Sequence, residues 1–159
     1  MKRVILLIVS ILLVNTVVFS NETMKIECEN TTIEVPLGWL AQYTKSPQMF
    51  VLYSPVEQND TFQENCNLAI EALPIDYTVL NYMKASIEIM RSVYSNLEII
   101  ESNENFHIIS GSINDIVVQQ IQFFYINNNT AYVLTFTSNP ANFNRYLEEF
   151  KSIVQTFRY

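Results

Sequence analysis

The sequence predicts an α+β domain, a mainly antiparallel central sheet flanked by helices in an α/β/α sandwich. Three observations carry this. Apolar residues recur at three- and four-residue steps in two stretches, 79–94 and 143–157. Short runs with strand alternation or β-branched and aromatic content lie before and between them. The strands between the helices are joined by turns too short for parallel crossovers, so they pair antiparallel.

Taken in order, residues 21–30 are polar and fray at first. Lys25-Ile26-Glu27-Cys28 alternates, as does Thr32-Ile33-Glu34-Val35. Pro36 stops that ladder, and Gly38-Trp39-Leu40 turns the chain inward. The run 49–53 is a compact apolar strand ending at Ser54-Pro55, and 56–64 is a polar loop. Cys66, Leu68, Ile70 and Ala72 alternate with polar or small residues in a half-buried strand. Pro74 starts a new rhythm, in which Val79 or Leu80, Met83, Ile87, Met90 and Tyr94 form one face of a helix. Asn96 closes it. Strands follow at 97–100 and 106–109, with a turn expected at Gly111. A long strand covers 116–126, Asn127-Asn128-Asn129 makes a hairpin turn, and 131–137 returns as its partner. In the last helix Asn139 is the expected N-cap and Pro140 the first helical residue. Phe143, Leu147, Phe150, Val154 and Phe157 line one face.

The first twenty residues read as a secretory signal peptide. Met1-Lys2-Arg3 is a basic start, residues 4–14 are apolar but for Ser10, and cleavage is expected between Ser20 and Asn21. The run is short of the roughly 20 apolar residues that span a bilayer. The first cysteine, Cys28, follows Lys25, Ile26 and Glu27, which do not make a lipobox. The expectation is a soluble exported protein, periplasmic or extracellular, with no stable membrane anchor after cleavage. A retained signal anchor is the rival reading. Residues 21–159 then form a single domain, long enough to bury a core.

Of the chain's 159 residues, 9 are basic and 16 acidic, a net charge of −7. Loss of Lys2 and Arg3 leaves seven basic residues and a net −9. Such a domain is a poor partner for nucleic acid or anionic membranes, both of which require positive patches. Only two glycines occur, Gly38 and Gly111. No Gly-rich phosphate loop can be built from them, and no nucleotide cofactor is expected.

Five phrases occur in a set order: Thr32-Ile33-Glu34-Val35-Pro36-Leu37-Gly38-Trp39, Phe50-Val51-Leu52-Tyr53-Ser54-Pro55, Ile70-Glu71-Ala72-Leu73-Pro74, Ala131-Tyr132-Val133-Leu134-Thr135-Phe136-Thr137, and Asn142-Phe143 with Tyr146-Leu147-Glu148-Glu149-Phe150. Their order resembles the exported PsbP-like and DcrB-like domains, whose fold is shared with the photosystem II protein PsbP and a Ran-binding import factor. The resemblance implies a central antiparallel sheet flanked by helices. It implies binding or assembly work and carries no catalytic motif over. Many exported members are lipoproteins, a pattern from which this chain departs.

Candidate chemistry is sparse. The one histidine, His107, sits on a strand where Phe106 and Ile108 share one face and His107 takes the other. No nucleophile elbow accompanies it, and Ser110-Gly111-Ser112 reads as a turn, so a packed or surface histidine is preferred to a catalytic one. One histidine and two distant cysteines do not make a zinc site. Asp60, Glu64, Asp76, Glu101 and Glu104, with Glu98, lack the spacing of a calcium loop and read as solvated acids, so no metal is expected. Paired carboxylates for glycoside hydrolysis would need an aromatic-walled cleft, and the aromatics here fall on core positions.

Cys28 shares a strand face with Ile26, and Cys66 with Leu68 and Ile70. An even pair in an exported protein reads as a disulfide, worth about 4 kcal/mol in the chain-entropy model. Two reduced, buried side chains are the alternative. Four sequons occur, at Asn21, Asn30, Asn59 and Asn128. Asn59 and Asn128 would carry glycans in a eukaryotic pathway. The abundance of Asn and Ile suits a bacterial chain in which sequons arise by chance.

Three functions compete. The leading one is a non-catalytic binding or assembly module of the bacterial cell envelope, with a protein partner there. The second is a carrier of a small apolar ligand, held between sheet and helix by Tyr82, Phe124 or Tyr132. The third is a hydrolase with a nonstandard site around His107.

Overall fold

The computed structural model describes residues 22–45, 48–56 and 62–159. The signal segment with its cleavage point at Ser20 and Asn21, and the sequon at Asn59, lie outside the described residues.

The chain runs β1 (Thr23–Cys28), β2 (Thr31–Pro36), β3 (Leu40–Tyr43), β4 (Gln48–Tyr53), β5 (Asn65–Ala72), α1 (Val79–Val93), β6 (Ser95–Ser102), β7 (Phe106–Ile113), β8 (Ile116–Asn127), β9 (Thr130–Ser138) and α2 (Phe143–Gln155). β1 and β2 form a separate hairpin, and the remaining strands form one seven-stranded sheet in the order β3-β4-β5-β9-β8-β7-β6. Every pairing is antiparallel. The α+β architecture is therefore as expected.

Alternation along β8 and β9 decides what each sheet face holds. Ile121, Phe123, Leu134 and Phe136 face the larger core with Phe50, Leu52, Cys66 and Leu68. That layer is closed by Phe143, Tyr146, Phe150, Ile153 and Val154 of α2, and by Ile26, Ile33 and Val35 of the hairpin. Phe136 and Phe150 meet with centroids 4.8 Å apart. The opposite face carries a smaller cluster of Phe124 and Val133 under Met83 of α1.

Several local expectations are corrected. Gly111 makes no turn; it lies inside β7, where a Cβ would come within 3.0 Å of Tyr94 Cδ1. The turn falls at Asn114-Asp115, with φ of 50° and 64°, the left-handed pair that a two-residue hairpin demands. Asn128 and Asn129 repeat this between β8 and β9, with φ of 48° and 58°. α2 begins at Phe143, not Pro140, because Asn139 instead closes a preceding turn: its Oδ1 accepts from Ala141 N at 2.7 Å. α1 has an unanticipated N-cap, Thr78 Oγ1, which accepts from Asn81 N at 3.2 Å.

The expected disulfide is also corrected. Cys28 and Cys66 are both free. They do not lie on neighbouring strands: Cys28 closes the separate hairpin opposite Thr31, and Cys66 is held between Leu52 and Phe136 inside the main sheet. Sharing an apolar side does not by itself bring two Cα atoms within bridging range. Burial pushes the Cys66 thiol well above the ordinary range, and raises that of Cys28 to a lesser extent.

Candidate functional site

Helix α1 is the loosest layer. It buries Met83 and Met90, two turns apart on one face. Leu80, Ile89 and Val93 stay 56%, 66% and 57% exposed. The sheet face beneath it explains this, because that face is polar along its middle. His107 Nε2 lies 2.8 Å from Gln122 Oε1. Gln122 Nε2 approaches Gln120 Oε1 at 3.5 Å, and Gln120 Nε2 donates to Thr137 Oγ1 at 2.9 Å. Tyr94, at the C-cap of α1, donates its hydroxyl to Gln120 Oε1 at 2.7 Å. These side chains cross β7, β8 and β9 at adjacent register positions. A helix laid over a polar row cannot bury a full apolar stripe there.

Clefts open on both flanks of α1. One, of about 270 Å³, is lined by Leu80, Met83, Lys84, Ile87, Glu88, Ile99, Ser102 and His107. The other, of about 220 Å³, runs past Tyr82, Ala85, Ile89, Met90, Gln122 and Val133. Tyr82 packs on Phe124 at 6.0 Å and donates to Glu71 Oε2 at 2.6 Å; burial and that carboxylate raise its phenol well above normal. Tyr82 and Phe124 thus come together as expected. Tyr132 does not join them: it faces the other side of the sheet, against Tyr159 at 4.9 Å.

His107 is 1% exposed, and its ring stands 4.8 Å from that of Phe124. Burial lowers its pKa, and the hydrogen bond to Gln122 only partly opposes this. Neutral imidazole bonded through Nε2–H to an amide oxygen leaves Nδ1 as a lone-pair acceptor. Among the described residues Nδ1 has no hydrogen-bond partner. Ser102 stands opposite His107 across β6 and β7 and lines the same cleft, but no hydrogen bond joins them. The group orienting the ring is a neutral amide, which does not stabilise the imidazolium as a carboxylate would.

Two further sites stand apart. A cleft of about 430 Å³ lies between Pro36, Leu37, Trp39, Pro55, Arg145, Tyr146 and Glu149. Trp39 Nε1 donates to Glu149 Oε1 there at 3.2 Å. Glu64, just before β5, is fully buried between Ser54, which follows β4, and Ser138 at the end of β9; Ser138 Oγ donates to its Oε1 at 3.0 Å, while Oε2 and Ser54 Oγ have no partner among the described residues. Among those residues no three His, Cys, Asp or Glu side chains converge as metal ligands would, and no helix is long and apolar enough to cross a membrane.

Sequence reasoning named His107 but missed its partners, the burial of Glu64 and the part of Lys84 in the cleft. The glutamines left a signal: Gln120 and Gln122 stand two apart on one face of a mostly apolar strand.

No family model matches the sequence, and no curated protein matches it. Solved structures do. PsbP of Synechocystis sp. PCC 6803 superposes with a TM-score of 0.58 at 13% identity, over 89% of this chain and 94% of that one. The Saccharomyces cerevisiae Ran-binding protein Mog1 gives 0.66 at 10% identity, over 87% and 96%. A Pseudomonas aeruginosa protein of unknown function gives 0.62 at 13%, over 84% and 94%. The chain has the fold of PsbP and Mog1.

Proposed function

From that fold as premise, we propose that this chain is a non-catalytic binding or assembly module of the bacterial cell envelope, exported by residues 1–20. The observation that carries the reading is the state of α1: it leaves open apolar clefts on both flanks, while the lone histidine is tied into a cross-strand row of amides. A hydrolase built on His107 would need a nucleophile hydrogen-bonded to the ring, and Ser102, the hydroxyl on the same cleft, makes no hydrogen bond to it. A binding site needs concave apolar surface with few polar groups, and the flank bounded by Leu80, Met83, Ile87 and Ile99 has that composition. Mog1, of the same fold, is a Ran-binding protein, which accords with a binding role.

The test is capture from native envelope extract by the wild type and by a Leu80→Glu, Ile99→Glu variant, with mass spectrometry of proteins and small molecules. The reading expects species retained by the wild type and lost from the variant. Equal capture by both sinks the α1 flank as the binding surface. An esterase, peptidase or glycosidase activity that vanishes in His107→Ala with the fold intact sinks the non-catalytic reading.

The cleft of about 270 Å³ favours a second reading, a carrier of a small apolar ligand. Under it the same flank would hold a small molecule in place of a protein surface.

A further inference from the structure

The geometry points to a small organic acid with a compact apolar body as the ligand of the cleft between α1 and β6, held by Lys84 at the mouth. This rests on the small-ligand reading above and gives the ligand its chemistry.

Size comes first. An apolar cavity of about 150 Å³ holds a benzene-sized guest. The cleft, at about 270 Å³, takes one ring with a short tail, or a chain of similar bulk. Its walls are Leu80, Met83, Ile87 and Ile99, which fix the body of the ligand as apolar.

Charge decides the head group. The charged side chains on the cleft are Lys84 and Glu88. Glu88 is engaged by Arg91 Nε at 3.7 Å. Lys84 has no ion pair or hydrogen bond among the described residues. The acids of β6 do not offset it. Glu98 and Glu101 pair with Ser110 and Ile108, on the register positions of the opposite sheet face, whereas Ile99 and Ser102 pair with Ile109 and His107 on the face toward α1. Lys84 is thus the charged cleft side chain without an ion pair among the described residues, and a carboxylate complements its ammonium. At the inner wall His107 is 1% exposed, and its Nδ1 is unpartnered. A neutral imidazole there does not compete with Lys84 for the anion. It offers an acceptor to any hydroxyl the ligand body carries.

The probes are octanoate and 3-phenylpropanoate, with 1-octanol and 3-phenylpropanol as uncharged counterparts. Each is titrated into the protein as isolated, by calorimetry and methyl-resolved NMR. The variants are Lys84→Gln and Ile99→Glu, both at exposed positions where the fold tolerates change, with thermal melting as the folding check. The expected result is saturable binding of the acids, with shifts at Met83, Ile87 and Ile99. The acids bind more tightly than the alcohols. Lys84→Gln weakens the acids roughly tenfold, the size of one charge-assisted contact, and leaves the alcohols unchanged. Ile99→Glu weakens the acids further. If acids and alcohols bind alike and Lys84→Gln moves neither, the acid assignment is overturned while the apolar-ligand reading stands. If none of the four binds there, both fall.

Discussion

The imidazole of His107 and the side-chain amide of Gln122 are locked together across β7 and β8, Nε2 to Oε1 at 2.8 Å, with the ring 1% exposed. The pair has a consequence for stability. Burial holds the folded-state pKa of His107 below the ordinary 6.5. In the window below 6.5 the unfolded chain therefore binds a proton that the folded chain refuses. The stabilising contribution is complete above that window and is lost as pH falls through the folded value. Urea unfolding at pH 7.5 and pH 5 should show a drop that is smaller in His107→Gln. An identical drop in the variant would mean that His107 is not held neutral by burial.

The contact between Phe136 and Phe150 joins the sheet to α2 at the centre of the larger core. Phe150→Ala should cost about 3–5 kcal/mol, the usual range for a fully buried aromatic. Leu80→Ala, at a 56% exposed site, should stay within about 0.5 kcal/mol. Denaturant titration of both variants gives the comparison. Similar losses would place α1 in the core, against the loose packing described.

Both thiols should be free in the isolated protein. Cys28 is half-buried on the hairpin, while Cys66 is fully buried with its thiol well above the normal range. A thiol reagent should label Cys28 first and reach Cys66 only in denaturant. A mass two hydrogens short of the reduced chain would show a disulfide and contradict the strand placement.

Glu64 Oε2 is buried without a partner among the described residues, a costly state for a carboxylate. Glu64→Gln puts in its place an amide that still accepts from Ser138 and can donate toward Ser54. The variant should be at least as stable as the wild type by thermal melting at pH 7. A loss of more than about 2 kcal/mol would indicate a partner for the carboxylate in the native protein.

The sequence made the order of strands and helices legible because period is a local property. Met83 to Met90 and Phe143 to Phe150 announce helices, and 131–137 announces a strand, whatever surrounds them. Faces within a strand were legible too: His107 does lie opposite Phe106 and Ile108. What was not legible depends on which strands become neighbours. Cys28 and Cys66 both point to the apolar side, yet they belong to different sheets, and nothing local distinguishes the cases. Gly111 looked like a turn because its real reason, the ring of Tyr94 lying on it, comes from another element. The cleft was hidden for the same cause. Lys84 reads as an ordinary exposed helix residue until β6 is seen to bring Ile99 and Ser102 to the same cleft.

The central claim is that this protein works by binding on the flank of α1. Methyl-resolved NMR of the protein during titration with native envelope extract tests it most directly. The account predicts shifts at Leu80, Met83, Ile87 and Ile99, with the core methyls of Ile33 and Leu134 unmoved. Shifts confined to the cleft around Trp39 and Glu149, or turnover of an extract component while the α1 methyls stay still, would contradict it.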